Sequence, residues 1–123
     1  MSVPHYPGRA PIEAYGNGGF RFAGMSHKGS ILCLPSGISA WPVEGVEDVT
    51  PETLAAVFAE KAQIGFLLLG LGRNVSAPSE ALRKYFVTAG IGLEPMDTGA
   101  ACRTFNVLLA EGRPVAAALI AVE

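Results

Sequence analysis

Histidine and cysteine are nearly missing from this 123-residue chain, which has two of each. His5 lies in a proline-rich start and His27 in the predicted turn Ser26-His27-Lys28-Gly29, so the chain offers neither an HExxH motif nor a paired-histidine metal site. Cys33 falls in the apolar run Ile31-Leu32-Cys33-Leu34, and Cys102 follows Gly99-Ala100-Ala101. Metal-binding cysteines need partners at short spacing, so the two thiols read as buried packing residues. The alternative is a redox-active Cys102 whose thiol pKa is lowered by a nearby helix start. Neither a metal nor a cofactor is expected.

Charge is scarce as well. Asp, Glu, Lys and Arg make up 16% of the chain, and the net charge is −2. Phosphate binding needs a basic stripe, and the nine Lys and Arg are scattered, which argues against a nucleic-acid partner. No run approaches the roughly 18 apolar residues of a membrane span, which leaves peripheral association as the membrane option. The start, Met1-Ser2-Val3-Pro4-His5-Tyr6-Pro7, shows neither the basic start and apolar block of a signal peptide nor an Arg-rich transit pattern. The expectation is a cytoplasmic protein of bacterial type. Neither a G-x-S-x-G elbow nor a G-x-x-x-x-G-K-S/T phosphate loop occurs.

What the chain has in quantity is apolar side chains, 50% of the total. That suffices for one cored domain over residues 1–123, with residues 1–11 as an extended arm. Ile12–Tyr15 and Phe20–Ala23 flank Gly16-Asn17-Gly18-Gly19, a strong hairpin signal. Strands are expected over Ser30–Leu34 and Ile38–Val43, which makes the first half an antiparallel meander. The second half alternates. Thr50-Pro51-Glu52 starts a helix, and Ile64–Leu69 reads as a strand covered on both faces. Pro78 opens a helix carrying Leu82, Tyr85, Phe86 and Ala89 on one side. Ile91–Glu94 is a short strand, Asp97–Glu111 a helix and Val115–Val122 a last apolar strand.

Strand, helix, strand, helix, strand implies a parallel unit with right-handed crossovers. If its strands are added in one direction, both crossover helices share a face, and the meander must cover the other. The expected class is α/β (α+β): a three-layer β/β/α sandwich with an N-terminal antiparallel meander packed on a short parallel βαβαβ unit.

Gly70-Leu71-Gly72-Arg73-Asn74-Val75 follows a buried strand, and Glu94 comes about twenty residues later, so the segment resembles half of a dinucleotide fingerprint. Val75 replaces the third glycine and the next helix starts only near Pro78, so the glycines read as a tight turn rather than a pyrophosphate cradle. This junction and Glu94–Thr98 both leave the carboxyl ends of parallel strands, where crevices form in open α/β sheets. Gly70, Gly72, Arg73, Asp97, Thr98, Arg103 and Asn106 are the candidate crevice residues, with Asp97 and Thr98 able to cap the helix. Arg103 near a helix N-terminus needs an anion. Pairing with Asp97 or Glu94 is the structural reading, and a bound ligand the functional one. Glu44, Glu47, Asp48 and Glu52 read as a solvated acidic face. Tyr6, Phe20, Phe22 and Trp41 read as core or sheet cover, with Trp41 also a candidate partner anchor.

The segments Ile64–Gly72 and Met96-Asp97-Thr98-Gly99-Ala100-Ala101-Cys102-Arg103-Thr104-Phe105-Asn106-Val107-Leu108 resemble the Mth-type domain family of unknown function. That family includes the mitochondrial respiratory complex I assembly factor 3. The resemblance runs from about Ile12 to Val122, and it implies a β/β/α sandwich with no assigned catalytic residues. Two readings follow. The first is a non-enzymatic interaction or assembly-factor-like domain with a protein partner, presenting an exposed patch at Trp41 or the Gly70–Asn74 loop. The second is a small anionic-ligand-binding or enzymatic domain using the crevice near Arg73 and Arg103.

Overall fold

The computed structural model describes residues 5–123, without the side chain of His5. Of the arm expected over residues 1–11, residues 1–4 lie outside that range. His5–Pro7 form strand β1 on the edge of a sheet, a position that tolerates proline.

Two tight hairpins build a small antiparallel sheet from β2 (Ile12–Gly16), β3 (Gly19–Phe22) and β4 (Met25–Lys28). Asn17 and Gly18 take positive φ in the first turn, as their residue types promise. The second turn departs from expectation. It falls at Ala23-Gly24, with φ of 51° and 73°, so His27 lies in a strand rather than in a turn. Alanine carries no turn signal, which is why the sequence placed the reversal three residues late. Phe20 and Phe22 are buried while Arg21 between them faces solvent, so the sheet has one inward face.

The large sheet has six strands in the order β1-β6-β5-β9-β7-β8. β5 (Ile31–Leu34) and β6 (Gly37–Ala40) run antiparallel on one side. β7 (Phe66–Gly70) pairs in parallel with β8 (Gly92–Met96) and with β9 (Val115–Leu119). The N-terminal meander is therefore divided: β5 and β6 extend the parallel unit, and β2–β4 cover it. Side chains of the central strands alternate between two cores. Leu32, Leu34, Leu67, Leu69, Ala116 and Ala118 face one, while Ile31, Cys33, Leu68, Val115, Ala117 and Leu119 face the other.

β8 and β9 flank β7 on opposite sides, so two right-handed crossovers place their helices on opposite faces. This corrects the expectation that strands were added in one direction. α1 (Ala55–Ala59) and α2 (Glu80–Ala89) supply Val57, Leu82 and Phe86 to the first core. α3 (Thr98–Ala110) supplies Ala101, Cys102 and Phe105 to the second, alongside the small sheet. The architecture is a β/β/α sandwich in which α3 shares the small sheet's layer. Trp41 is 3% exposed and donates from Nε1 to the Thr53 carbonyl at 2.7 Å, so it is a core residue and not a surface anchor. Ser79 caps α2 by accepting from Leu82 N, one residue past the proline that signalled its start.

Candidate functional site

The carboxyl ends of β7 and β9 meet the N-terminus of α3, and Thr98 holds the three together. It is fully buried. Its hydroxyl donates to the Ile120 carbonyl at 2.7 Å and accepts from Gly72 N at 2.9 Å. Its backbone N–H donates to the Gly72 carbonyl at 2.9 Å, so the loop after β7 is bonded at both polar groups of one residue. Gly72 has φ of +85°, a conformation that side chains disfavour. Gly70 serves a different need: a Cβ there would lie 3.1 Å from Thr98 Cα and 3.0 Å from Leu119 Cδ2. The Gly-Leu-Gly run is thus a packing junction for α3, in keeping with the tight-turn reading.

Asp97 is the N-cap of α3, its Oδ1 accepting from Ala100 N at 2.8 Å. Asn106 lies more than two turns further along and does not reach the crevice. It closes the edge of the small sheet instead: Nδ2 donates to the Ile12 carbonyl, and Oδ1 accepts from Ile12 N, both at 2.8 Å. A side-chain amide here replaces a neighbouring strand. Asn106→Ala is expected to lower stability by about 1–2 kcal/mol, because two partly buried backbone groups of β2 lose their partners. Urea denaturation of the two proteins checks this, and faster amide exchange at Ile12 should accompany the loss.

Arg103 is exposed and pairs with neither Asp97 nor Glu94, contrary to the ion pair expected of it. Asp97 is turned toward its own helix, and Tyr15 from β2 meets the guanidinium, with Nη1 donating to the phenol oxygen at 3.3 Å. Gly99 makes room for this contact, since a Cβ there would lie 2.5 Å from Tyr15 Oη. Arg73 donates to the carbonyl of Glu123, and Gly18 N donates to the Val122 carbonyl at 2.8 Å. Tyr15, Gly72, Arg73, Asp97, Gly99 and Val122 line a shallow depression of about 160 Å3. The structure thus gathers Gly72, Arg73 and Asp97 at one concavity, with Arg103 bonded to its Tyr15 wall. It buries Gly70 and Thr98 beneath and places Asn106 elsewhere. Tyr15 and Val122 escaped sequence reasoning, because only tertiary pairing brings them within reach of α3.

Both thiols are buried. Burial raises the pKa of Cys33, and the nearby Cys102 thiol adds to the rise. Cys102 is pushed up to about 12, mainly by burial, with Arg103 opposing and Asp97 reinforcing. Such thiols are poor nucleophiles at neutral pH, against the redox-active reading. Because the folded pKa lies above the unfolded one, their contribution to stability is complete below about pH 9 and is lost as pH rises toward 12. The expected result is no reaction with an aromatic disulfide reagent at pH 8 until denaturant is added, and a lower urea midpoint at pH 10.5 than at pH 8.

The residues 12–120 match the family described as a protein of unknown function (DUF498/DUF598), and the chain belongs to that family. A crystal structure of an outer membrane protein from Bartonella henselae is 55% identical, with a TM-score of 0.93, covering 97% of this chain and 100% of that one. A Bordetella pertussis protein described as a Mth938-like domain is 28% identical, with a TM-score of 0.80, over 98% of this chain and 92% of its own. NADH dehydrogenase (ubiquinone) 1 alpha subcomplex assembly factor 3 of Xenopus tropicalis is 34% identical over 89% of this chain. The chain spans about three fifths (60%) of that assembly factor's length. Among the described residues, no helix is long and apolar enough to cross a membrane.

Proposed function

We propose that this chain is a protein-binding assembly factor that assists assembly of a respiratory or membrane complex from the cytoplasmic side, its whole length forming one domain. Its likeness to assembly factor 3 across nearly the whole domain carries the reading. The junction supports it, because Thr98 and Asp97 hold backbone groups of the chain itself. Their role is to make a rigid scaffold. Trp41 is buried, so a partner surface draws on other side chains: on the α2 face, Tyr85 and Val87 are both more than 40% exposed. The test is to delete the gene in its own cell and quantify assembled respiratory complexes on native gels, alongside a pull-down of the tagged chain. A complex subunit or assembly intermediate in stoichiometric amount, with reduced assembled complex, is the expected result. Unchanged complex levels with no such partner would overturn the proposal.

A second reading, a small anion held near Arg73 and Arg103, draws support from one observation: Arg103 is not consumed by Asp97 or Glu94. Arg103→Ala should shift stability by less than about 0.5 kcal/mol, as befits an exposed side chain. On this second reading the same variant would bind inorganic phosphate more weakly by titration calorimetry. Equal behaviour of the two proteins toward phosphate would remove it.

A further inference from the structure

The two sheets do not close on each other everywhere. At the side where β4 faces β1 and β6, a slot of about 340 Å3 opens between them, lined by Tyr6, Phe22, Met25, His27, Ile31 and Ile38 among others. We infer that this slot is a binding site for a small neutral aromatic molecule of one or two rings carrying a single hydroxyl or carbonyl group.

Strand register brings His27 there. In the β3–β4 pair it stands opposite Phe20, and Met25 stands opposite Phe22, so both share the inward face of the small sheet with the two buried phenylalanines. Nε2 of His27 is buried and has no hydrogen-bond partner among the described residues. An unpaired polar atom in an apolar setting is costly and uncommon. A small rotation of the imidazole would turn this nitrogen into the slot, where a ligand hydroxyl or carbonyl would satisfy it, since it accepts or donates according to tautomer.

The walls define the rest of the ligand. None of the residues lining the slot is Asp, Glu, Lys or Arg. An ionised group would therefore meet no permanently charged partner, at high cost, so the molecule is neutral. The Phe22 ring meets Tyr6 edge-on, with centroids 6.1 Å apart, and His27 at a tilt, with centroids 6.5 Å apart. Aromatic rings pack well on such walls. A cavity of about 150 Å3 accepts benzene, so the volume here suits two fused rings. Met25, 46% exposed, stands at the mouth, where its flexible thioether adapts to what enters.

Titration of the full chain with 1-naphthol and with naphthalene, followed by 1H–15N NMR, tests this. The expected result is saturable binding of both, with shifts at Phe22 and Ile38, a change in the His27 Nε2 resonance with 1-naphthol only, and about tenfold tighter binding of 1-naphthol. His27→Leu should keep naphthalene binding and abolish the tenfold preference, with the amide spectrum reporting that the variant is folded. Ala40→Phe, which fills the slot from β6, should weaken both probes and provides a second variant should His27→Leu misfold. Absence of saturable binding, or a preference for 1-naphthol that survives His27→Leu, would overturn the inference. So would a concentration-dependent dimer, seen by sedimentation, whose interface shifts map to this slot.

Discussion

Phe105→Ala is expected to destabilise the protein by about 3–5 kcal/mol. Phe105 is 2% exposed on α3, where the helix meets both sheets. Its ring belongs to the core that also holds Phe20 and Phe22 from the small sheet and Leu68, Val115 and Ala117 from the large one. Removing it takes apolar surface out of contact and leaves a cavity that neither sheet can fill, because each is held rigid by its own ladder. Folded domains have only about 5–15 kcal/mol of stability, so a loss of this size removes between about a fifth and all of it. Val107→Ala on the same helix is the control: Val107 is 57% exposed, and its loss should fall within about 0.5 kcal/mol. Urea midpoints of the three proteins decide the matter. A loss below about 1 kcal/mol at Phe105 would mean that α3 does not pin the two sheets together.

Much of this arrangement can be read from the residues, for local reasons. Leu67-Leu68-Leu69 and Val115–Leu119 are apolar on both faces, and both strands lie between two cores. Asp97 starts a helix because its carboxylate reaches an N–H three residues on, a relation internal to the segment. Strand order is different. Nothing in β8 or β9 states on which side of β7 it pairs, and that choice puts α2 and α3 on opposite faces. The same limit applies to the site. The candidate residues are glycines and polar side chains near strand ends, yet the partners that fix their roles come from afar: Ile120 for Thr98, Ile12 for Asn106 and Tyr15 for Arg103. Polar residues in helix turns signal that something must be bonded, and only the tertiary structure shows that it is the chain's own backbone.

Thr98→Val follows from this distinction and should cost about 2–4 kcal/mol. Valine matches threonine in shape, so packing changes little and the effect isolates the hydroxyl. Without it, the buried Ile120 carbonyl and the half-buried Gly72 N lose the side-chain partner they share. Each buried group left unpaired costs about 1–3 kcal/mol, whereas an exposed hydroxyl would cost far less. Thr98→Ser keeps the donor and acceptor and should recover most of the loss, the remainder reflecting the missing methyl group. The local signature matters as much as the total. Amide exchange at Gly72 should accelerate in Thr98→Val before exchange in the sheet interior does, because the loop after β7 is tied down through that residue. If Thr98→Ser proves as damaging as Thr98→Val, the methyl group rather than the hydroxyl holds the junction, and the account of the site as a hydrogen-bonded clamp fails.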